Sequence, residues 1–217
     1  MSPIVSLDKT GIFLSKPIAF VLVLVYLIQS TLLIYLIKDK YELHQIIDFQ
    51  RDRLEEMEEQ LKIFQVIEDF QIGFSEKEKV KLAGVIWEES KRYNYDPLLL
   101  MAVILSESSL RKGQVSEAGA QGLMQLLPSV GRDLADRSGI EWQGQEPLFD
   151  PVVNIRLGTL HLFEQILKFR DFKKALVAYN MGEGRLRGRL AENKPLPGRY
   201  LRQVREKYVM LKEKYDS

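Results

Sequence analysis

From Ile18 to Ile37 the chain reads "IAFVLVLVYLIQSTLLIYLI", twenty residues without a charged side chain. A helix needs about 20 largely apolar residues to cross the hydrocarbon layer of a membrane. The run therefore predicts a transmembrane anchor over residues 17–37, after a short tail of residues 1–16. The apolar part of a cleavable leader is shorter, about 7–15 residues, and ends at small side chains. "LIKDKYELH" offers no such site, which favours an uncleaved anchor. The pattern then changes. Leu43, Ile47, Gln50, Leu54, Met57, Leu61 and Phe64 alternate spacings of four and three, the seam of a short coiled coil. Seven of the nine residues 51–59 are charged, so the other face is solvated. Residues 38–72 are expected to form a coiled-coil-like helical stalk. It either simply continues the membrane helix or self-associates along the seam.

Beyond Gly73 the punctuation is that of short helices. Ser75 with Glu78 three residues later is a capping box, opening a helix to about Tyr93. Asp96-Pro97 and Asp150-Pro151 each place a capping acid before a proline at the first helical position. The first starts a helix through "LLLMAVILSESSL", and the second starts one running to about Phe169. Between them "GQVSEAGAQG", with three glycines in ten residues, predicts a loop. A helix from Pro128 ends near Gly139, and Asp171 caps "FKKALVAYN". "GEGRLRGRLAENKPLPG" is expected to be loop, with Pro197 opening a last helix to about Lys214. Strand signals are nearly absent, so residues 73–217 predict an all-α domain.

Composition narrows the chemistry. Of 217 residues, 46% are hydrophobic and 28% charged, and the net charge is +1. No strong field points to a nucleic acid or an acidic partner. Arg185, Arg187, Arg189 and Arg199 make the late loop basic; without interleaved aromatics no nucleic-acid contact is expected. The absence of cysteine excludes disulfides, thiolate metal sites and a Cys nucleophile. His44 and His161 are the only histidines and lie far apart, so neither a multi-His metal site nor a Ser-His-Asp triad is well supplied. No metal or cofactor is expected. Lys9 and Lys16 before the anchor, against Lys38, Lys40, Arg51 and Arg53 after it, do not orient it by charge.

One residue stands out against this background. Eight apolar residues run from Leu98 to Leu105, and Glu107 follows. On a helix from Pro97, Leu100, Val103, Glu107 and Leu110 share a face. A glutamate at a helix end ordinarily turns into water. Placed in an apolar stripe, it has its pKa raised towards neutrality, as a general acid requires. Glycoside cleavage usually takes two carboxylates. Glu117, Asp133, Asp136, Glu141, Glu146, Asp150 and Glu183 are the candidates for a second, and none has a comparable apolar setting. That pattern hints at chemistry needing one carboxyl group.

Three ordered markers carry a family resemblance: "ESSL", then "SEAGAQGLMQLLPS", then "ALVAYNMGEG". Together they resemble the soluble lytic transglycosylase (SLT) domain family, over about residues 80–210. Asp150, Asn154, Ile155 and Gly158 match the family's helix before Ala-Tyr-Asn. The resemblance implies a goose-type-lysozyme-like α fold and peptidoglycan glycan strands as substrate. It implies that Glu107 is the single catalytic acid/base, cleaving between N-acetylmuramic acid and N-acetylglucosamine and leaving a 1,6-anhydro sugar. Ser108, Ser116, Gly122, Met124, Gln125, Tyr179, Asn180 and Tyr200 would bind substrate. In this scheme Gly119 and Gly122 let the loop pass close to the sugar, Met124 and Gln125 line the cleft, and Ser116 orients the N-acetyl group. Tyr179 brings a phenol near Glu107, and Asn180 an amide onto the sugar. Two departures stand out: Ser109-Leu110 where the family often has an aromatic, and the basic late segment, either simply solvated or in contact with anionic wall peptides or phosphates. A hydrolase on the same fold, using an activated water, and a non-catalytic wall-binding scaffold remain as alternatives. An extracellular substrate implies a single-pass protein of the cytoplasmic membrane with its catalytic domain outside, periplasmic in a diderm.

Overall fold

The computed structural model describes residues 16–142 and 147–215. The tail up to residue 15 and the candidate Glu146 lie outside these. The described residues form eight α-helices: α1 (Lys16–Phe70), α2 (Glu76–Arg92), α3 (Pro97–Ser108), α4 (Pro128–Ser138), α5 (Pro151–Phe169), α6 (Phe172–Met181), α7 (Glu183–Ala191) and α8 (Gly198–Tyr215). A 3₁₀ turn, Pro147–Phe149, precedes α5. Among the described residues, β-pairing is confined to isolated bridges such as Val115 with Gln121 and Gln121 with Leu126. The fold is all-α.

The chain divides into two compact units, one ending at Leu54 and the other starting at Glu55. The described residues of the first are helix alone. Its uncharged run is exposed along its length and is long and apolar enough to cross a membrane. The seam residues Leu43, Ile47, Leu54, Met57 and Leu61 are exposed, each by more than half. Phe64 packs instead against the core of the second unit. Next to it Ile63, Val66 and Ile67 are completely buried there. The segment expected to be stalk up to residue 72 thus ends inside the core of the helical domain, because these four side chains face that core rather than a second helix.

The caps form as the punctuation demands. Asp96 accepts from Leu98 N at 2.8 Å, and Asp150 from Val152 N at 2.8 Å and Val153 N at 3.1 Å. Asp171 accepts from Lys174 N at 2.9 Å. Each satisfies an N-terminal amide that the helix itself cannot. Helix α3 becomes the centre of the domain. Leu98 and every residue from Leu100 to Leu105 are buried, so the helix is wrapped on all sides rather than along one stripe. The ends of α1, α2 and α8 surround it, through Ile67, Ile86, Val204 and Leu211 among others.

The segment 183–191, expected as loop, is helix α7. Gly182 breaks the chain at φ 92°, and Leu186 buries itself against Val177 and Ala178 of α6. Glu183 pairs with Arg187 one turn on at 2.8 Å. That buried leucine and the helix-forming arginines outweigh Gly184 and Gly188.

Candidate active site

Glu107 sits on the last turn of α3. Its Oε1 accepts a hydrogen bond from the phenol of Tyr200 on α8 at 2.5 Å. Burial pushes the Glu107 carboxyl up to about 7; the Tyr200 bond and the charge of Lys207 act the other way and hold it there. The phenols of Tyr200 and Tyr179 are pushed well above their usual range, first by burial and then by the nearby Glu107 charge. Both therefore stay protonated as donors.

Glu107 opens onto a cavity of about 800 Å³. Its other walls are Ser116, Ala118, Ala120 and Gln125 to Leu127 from the glycine-rich loop, Val130 of α4, His161 of α5, Tyr179 to Met181 of α6, and Gly182, Gly184 and Arg185 around the start of α7. Among the described residues lining it, Glu107 is the one carboxyl group. The other candidate acids are engaged elsewhere: Asp150 caps α5, Asp133 pairs with Arg137, and Glu183 pairs with Lys168 and Arg187. Glu117, Asp136 and Glu141 are exposed and do not line the cavity. A fully buried acid, Glu89 of α2, lies 3.3 Å from Arg92 and 3.7 Å from Arg156, and does not line the cavity either.

The loop is held in shape by an asparagine. Asn154 of α5 is wholly buried; its Oδ1 accepts from Met124 N at 2.7 Å, and its Nδ2 donates to Gln121 O at 2.9 Å and Leu148 O at 3.1 Å. Gly122 is required by this anchor. Its φ is 80°, and a Cβ there would lie 2.2 Å from Asn154 Nδ2. Gly122 thus makes room for Asn154, not for a sugar. Gly119 needs its φ of 79° for the turn, but a Cβ there would meet open space.

Met124 is likewise displaced from its expected role. Its side chain is fully buried against Gly158, and its sulfur accepts from Thr159 at 3.7 Å, so it anchors the loop instead of lining the cavity. Ser108 is turned into α3, its hydroxyl donating to Ile104 O at 3.2 Å, and it does not reach the cavity. Tyr179 lines the cavity, but its hydroxyl donates to Met124 O at 2.6 Å. The phenol bonded to Glu107 is that of Tyr200. Ser116, Gln125 and Asn180 line the cavity. The Ser116 oxygen accepts from Ala120 N at 3.0 Å, leaving its proton to donate. Gln125 spends its amide donor on Gln114 O at 3.1 Å and Gly122 O at 2.8 Å, so it offers its oxygen, an acceptor.

Two lining residues with polar side chains, His161 and Arg185, were not singled out as site residues from the sequence. His161 stacks near Tyr179, ring centroids 5.3 Å apart, and burial lowers its pKa, so the ring is neutral at neutral pH. Its signal was a shared face: Asn154, Gly158 and His161 fall four and three residues apart on α5. Arg185 was noted only as one of four arginines in an expected loop, without a place at the groove.

An all-α domain that presents one half-buried acid to a groove is the class this fold and site define. Residues 84–201 match the family model described as the transglycosylase SLT domain, and the chain belongs to that family. It is 37% identical over 91 residues to the membrane-bound lytic murein transglycosylase C of Klebsiella pneumoniae, covering 40% of this chain and 25% of that one. It is 33% identical over 115 residues to a transglycosylase of Enterobacteria phage PRD1, covering 53% of this chain and 40% of that one. An inactive mutant of the lytic transglycosylase Slt of Pseudomonas aeruginosa superposes with a TM-score of 0.55 at 26% identity, over 61% of this chain and 24% of that one. The chain spans less than half the length of these relatives.

Proposed function

We propose that the chain is a membrane-anchored lytic transglycosylase that cleaves the β-1,4 bond between N-acetylmuramic acid and N-acetylglucosamine in peptidoglycan. The observation that carries this reading is Glu107: half-buried, bonded to Tyr200, poised near neutrality, and the one carboxyl among the described groove-lining residues. The names of the relatives, two of them lytic transglycosylases, point the same way.

A carboxyl with a pKa near 7 is divided between its two forms at neutral pH and serves both halves of the reaction. Protonated Glu107 gives its proton to the glycosidic oxygen. The C1–oxygen bond breaks, its electron pair leaves with that oxygen, and the N-acetyl carbonyl of the muramic residue assists at C1. Glu107 is now a carboxylate, stabilised by the Tyr200 hydroxyl and the nearby Lys207 charge. It takes the proton of the muramic C6 hydroxyl, whose oxygen bonds C1 and closes the 1,6-anhydro ring. No water is consumed, and Glu107 ends protonated. Around it Ser116 offers a donor, Gln125 an acceptor and Asn180 an exposed amide to the sugars.

Because the substrate lies outside the cytoplasmic membrane, we place residues 38–217 outside it, anchored by the uncharged run of α1. Incubating the full-length chain with purified sacculi tests the chemistry. Mass spectrometry should find anhydro-muramic ends, and E107Q should lose at least about 10²–10⁴ in rate, the range of general acid–base catalysis. Reducing ends would make it a hydrolase. Undiminished lysis by E107Q would remove Glu107 as the acid, and binding without lysis by the wild type would leave a wall-binding scaffold.

A further inference from the structure

Tyr200, Gln203 and Lys207 lie three and four residues apart on α8 and so share one face. All three end at the last turn of α3. Tyr200 meets the Glu107 carboxyl, Gln203 Nε2 donates to Ser106 O at 3.2 Å, and Lys207 Nζ donates to Leu105 O. The last four carbonyls of a helix lack partners within it. Here two of them, those of Leu105 and Ser106 immediately before Glu107, receive donors from another helix, and Leu105 O also accepts from the capping Ser109 N at 3.1 Å.

The backbone just beyond shows why such support matters. Ser109 and Leu110 have φ of 51° and 55°, a left-handed pair without glycine. Such residues cost about 1–3 kcal/mol each and persist where the surroundings over-determine them. Buried Leu110, whose carbonyl accepts from Ile72 N at 3.2 Å, holds one side of this turn. Gln203 and Lys207 hold the other. The lysine is half-buried, and burial lowers its pKa, so it carries its charge there at an energetic cost.

We propose that Gln203 and Lys207 are positioning residues for Glu107, fixing the last turn of α3 so that the acid meets Tyr200 and faces the groove. This rests on the reading of Glu107 as the acid. The titratable groups that face Glu107 are Tyr200 and Lys207 of α8 and Tyr179 of α6; His161 of α5 and Arg185 of α7 line the same cavity.

The test is the full-length chain on purified sacculi, with kcat, KM and pH profile for wild type, K207M, K207R, Q203M and E107Q. Misplacing a reacting group by about 1 Å costs about 100-fold, so K207M should lower kcat by about 10- to 100-fold with KM little changed. It should also move the alkaline limb to higher pH, because a positive charge favouring the carboxylate is gone. K207R should recover most of kcat and restore the limb. Q203M should lower kcat without moving the limb. The proposal is overturned if K207M and Q203M keep wild-type kcat and pH profile, or if their loss merely follows the fraction folded by circular dichroism. Should K207M not fold, Q203M and K207R carry the test, and wild-type kcat in Q203M then sinks it. An active E107Q would instead bring down the underlying reading of Glu107.

Discussion

Replacing Glu107 by glutamine should stabilise the protein, and only above a particular pH. In the folded chain burial holds the carboxyl at about 7, whereas its ordinary value is 4.5. Below pH 4.5 both folded and unfolded forms carry the proton, and Glu107 costs nothing. Between 4.5 and 7 the unfolded chain releases the proton while the folded chain keeps it, so stability falls as pH rises. Above 7 both are ionised and the folded state bears the full cost. The gap between the two values corresponds to about 3 kcal/mol. Glutamine is neutral at every pH and keeps an oxygen for Tyr200. Denaturant unfolding of E107Q and wild type, followed by circular dichroism at pH 4 and pH 8.5, should give stabilities within about 0.5 kcal/mol of each other at the lower pH. At pH 8.5 E107Q should be the more stable by up to about 3 kcal/mol. Other titrating groups are common to both proteins and cancel in the difference. A difference that is the same at both pH values, or that favours wild type at pH 8.5, would refute burial as the source of the poised acid.

A chain beginning at Glu55 should fold stably, whereas one beginning at Gly73 should not. The shorter one lacks three fully buried side chains, Ile63, Val66 and Ile67, and the bonds of Glu59 to Trp87 at 3.0 Å and Lys91 at 2.6 Å. At about 1.5–3 kcal/mol per side chain, the loss of roughly 5 kcal/mol or more rivals the whole stability of a domain; equal urea midpoints would show that α1 is dispensable. A reporter that is active only in the cytoplasm, fused at the C-terminus, should stay inactive, and an active fusion would reverse the orientation.

Helix boundaries were legible where a local side chain decides them. Asp96, Asp150 and Asp171 each satisfy amides two or three residues away, an interaction that sequence alone specifies. The uncharged run of α1 is legible for a similar reason: length and charge are properties of the segment itself. Glu107 stood out because a carboxyl beside eight apolar residues is costly in any fold that buries them. Segment 183–191 was misjudged because its helix rests on Leu186 finding Val177 and Ala178 in space.

What the tertiary structure alone decided were contacts between residues far apart in the chain. Tyr200 lies ninety-three positions from Glu107 and yet supplies its hydroxyl partner. Met124 and Gly122 carried the family's pattern but turned out to serve Asn154, Gly158 and Thr159 rather than the groove. Local pattern determines which backbone amides a side chain can reach and which faces are apolar. Which polar group is then left inside, and who donates to it, depends on how the helices pack. Pairing across the fold is set by the joint burial of all the faces at once, and no single segment encodes it.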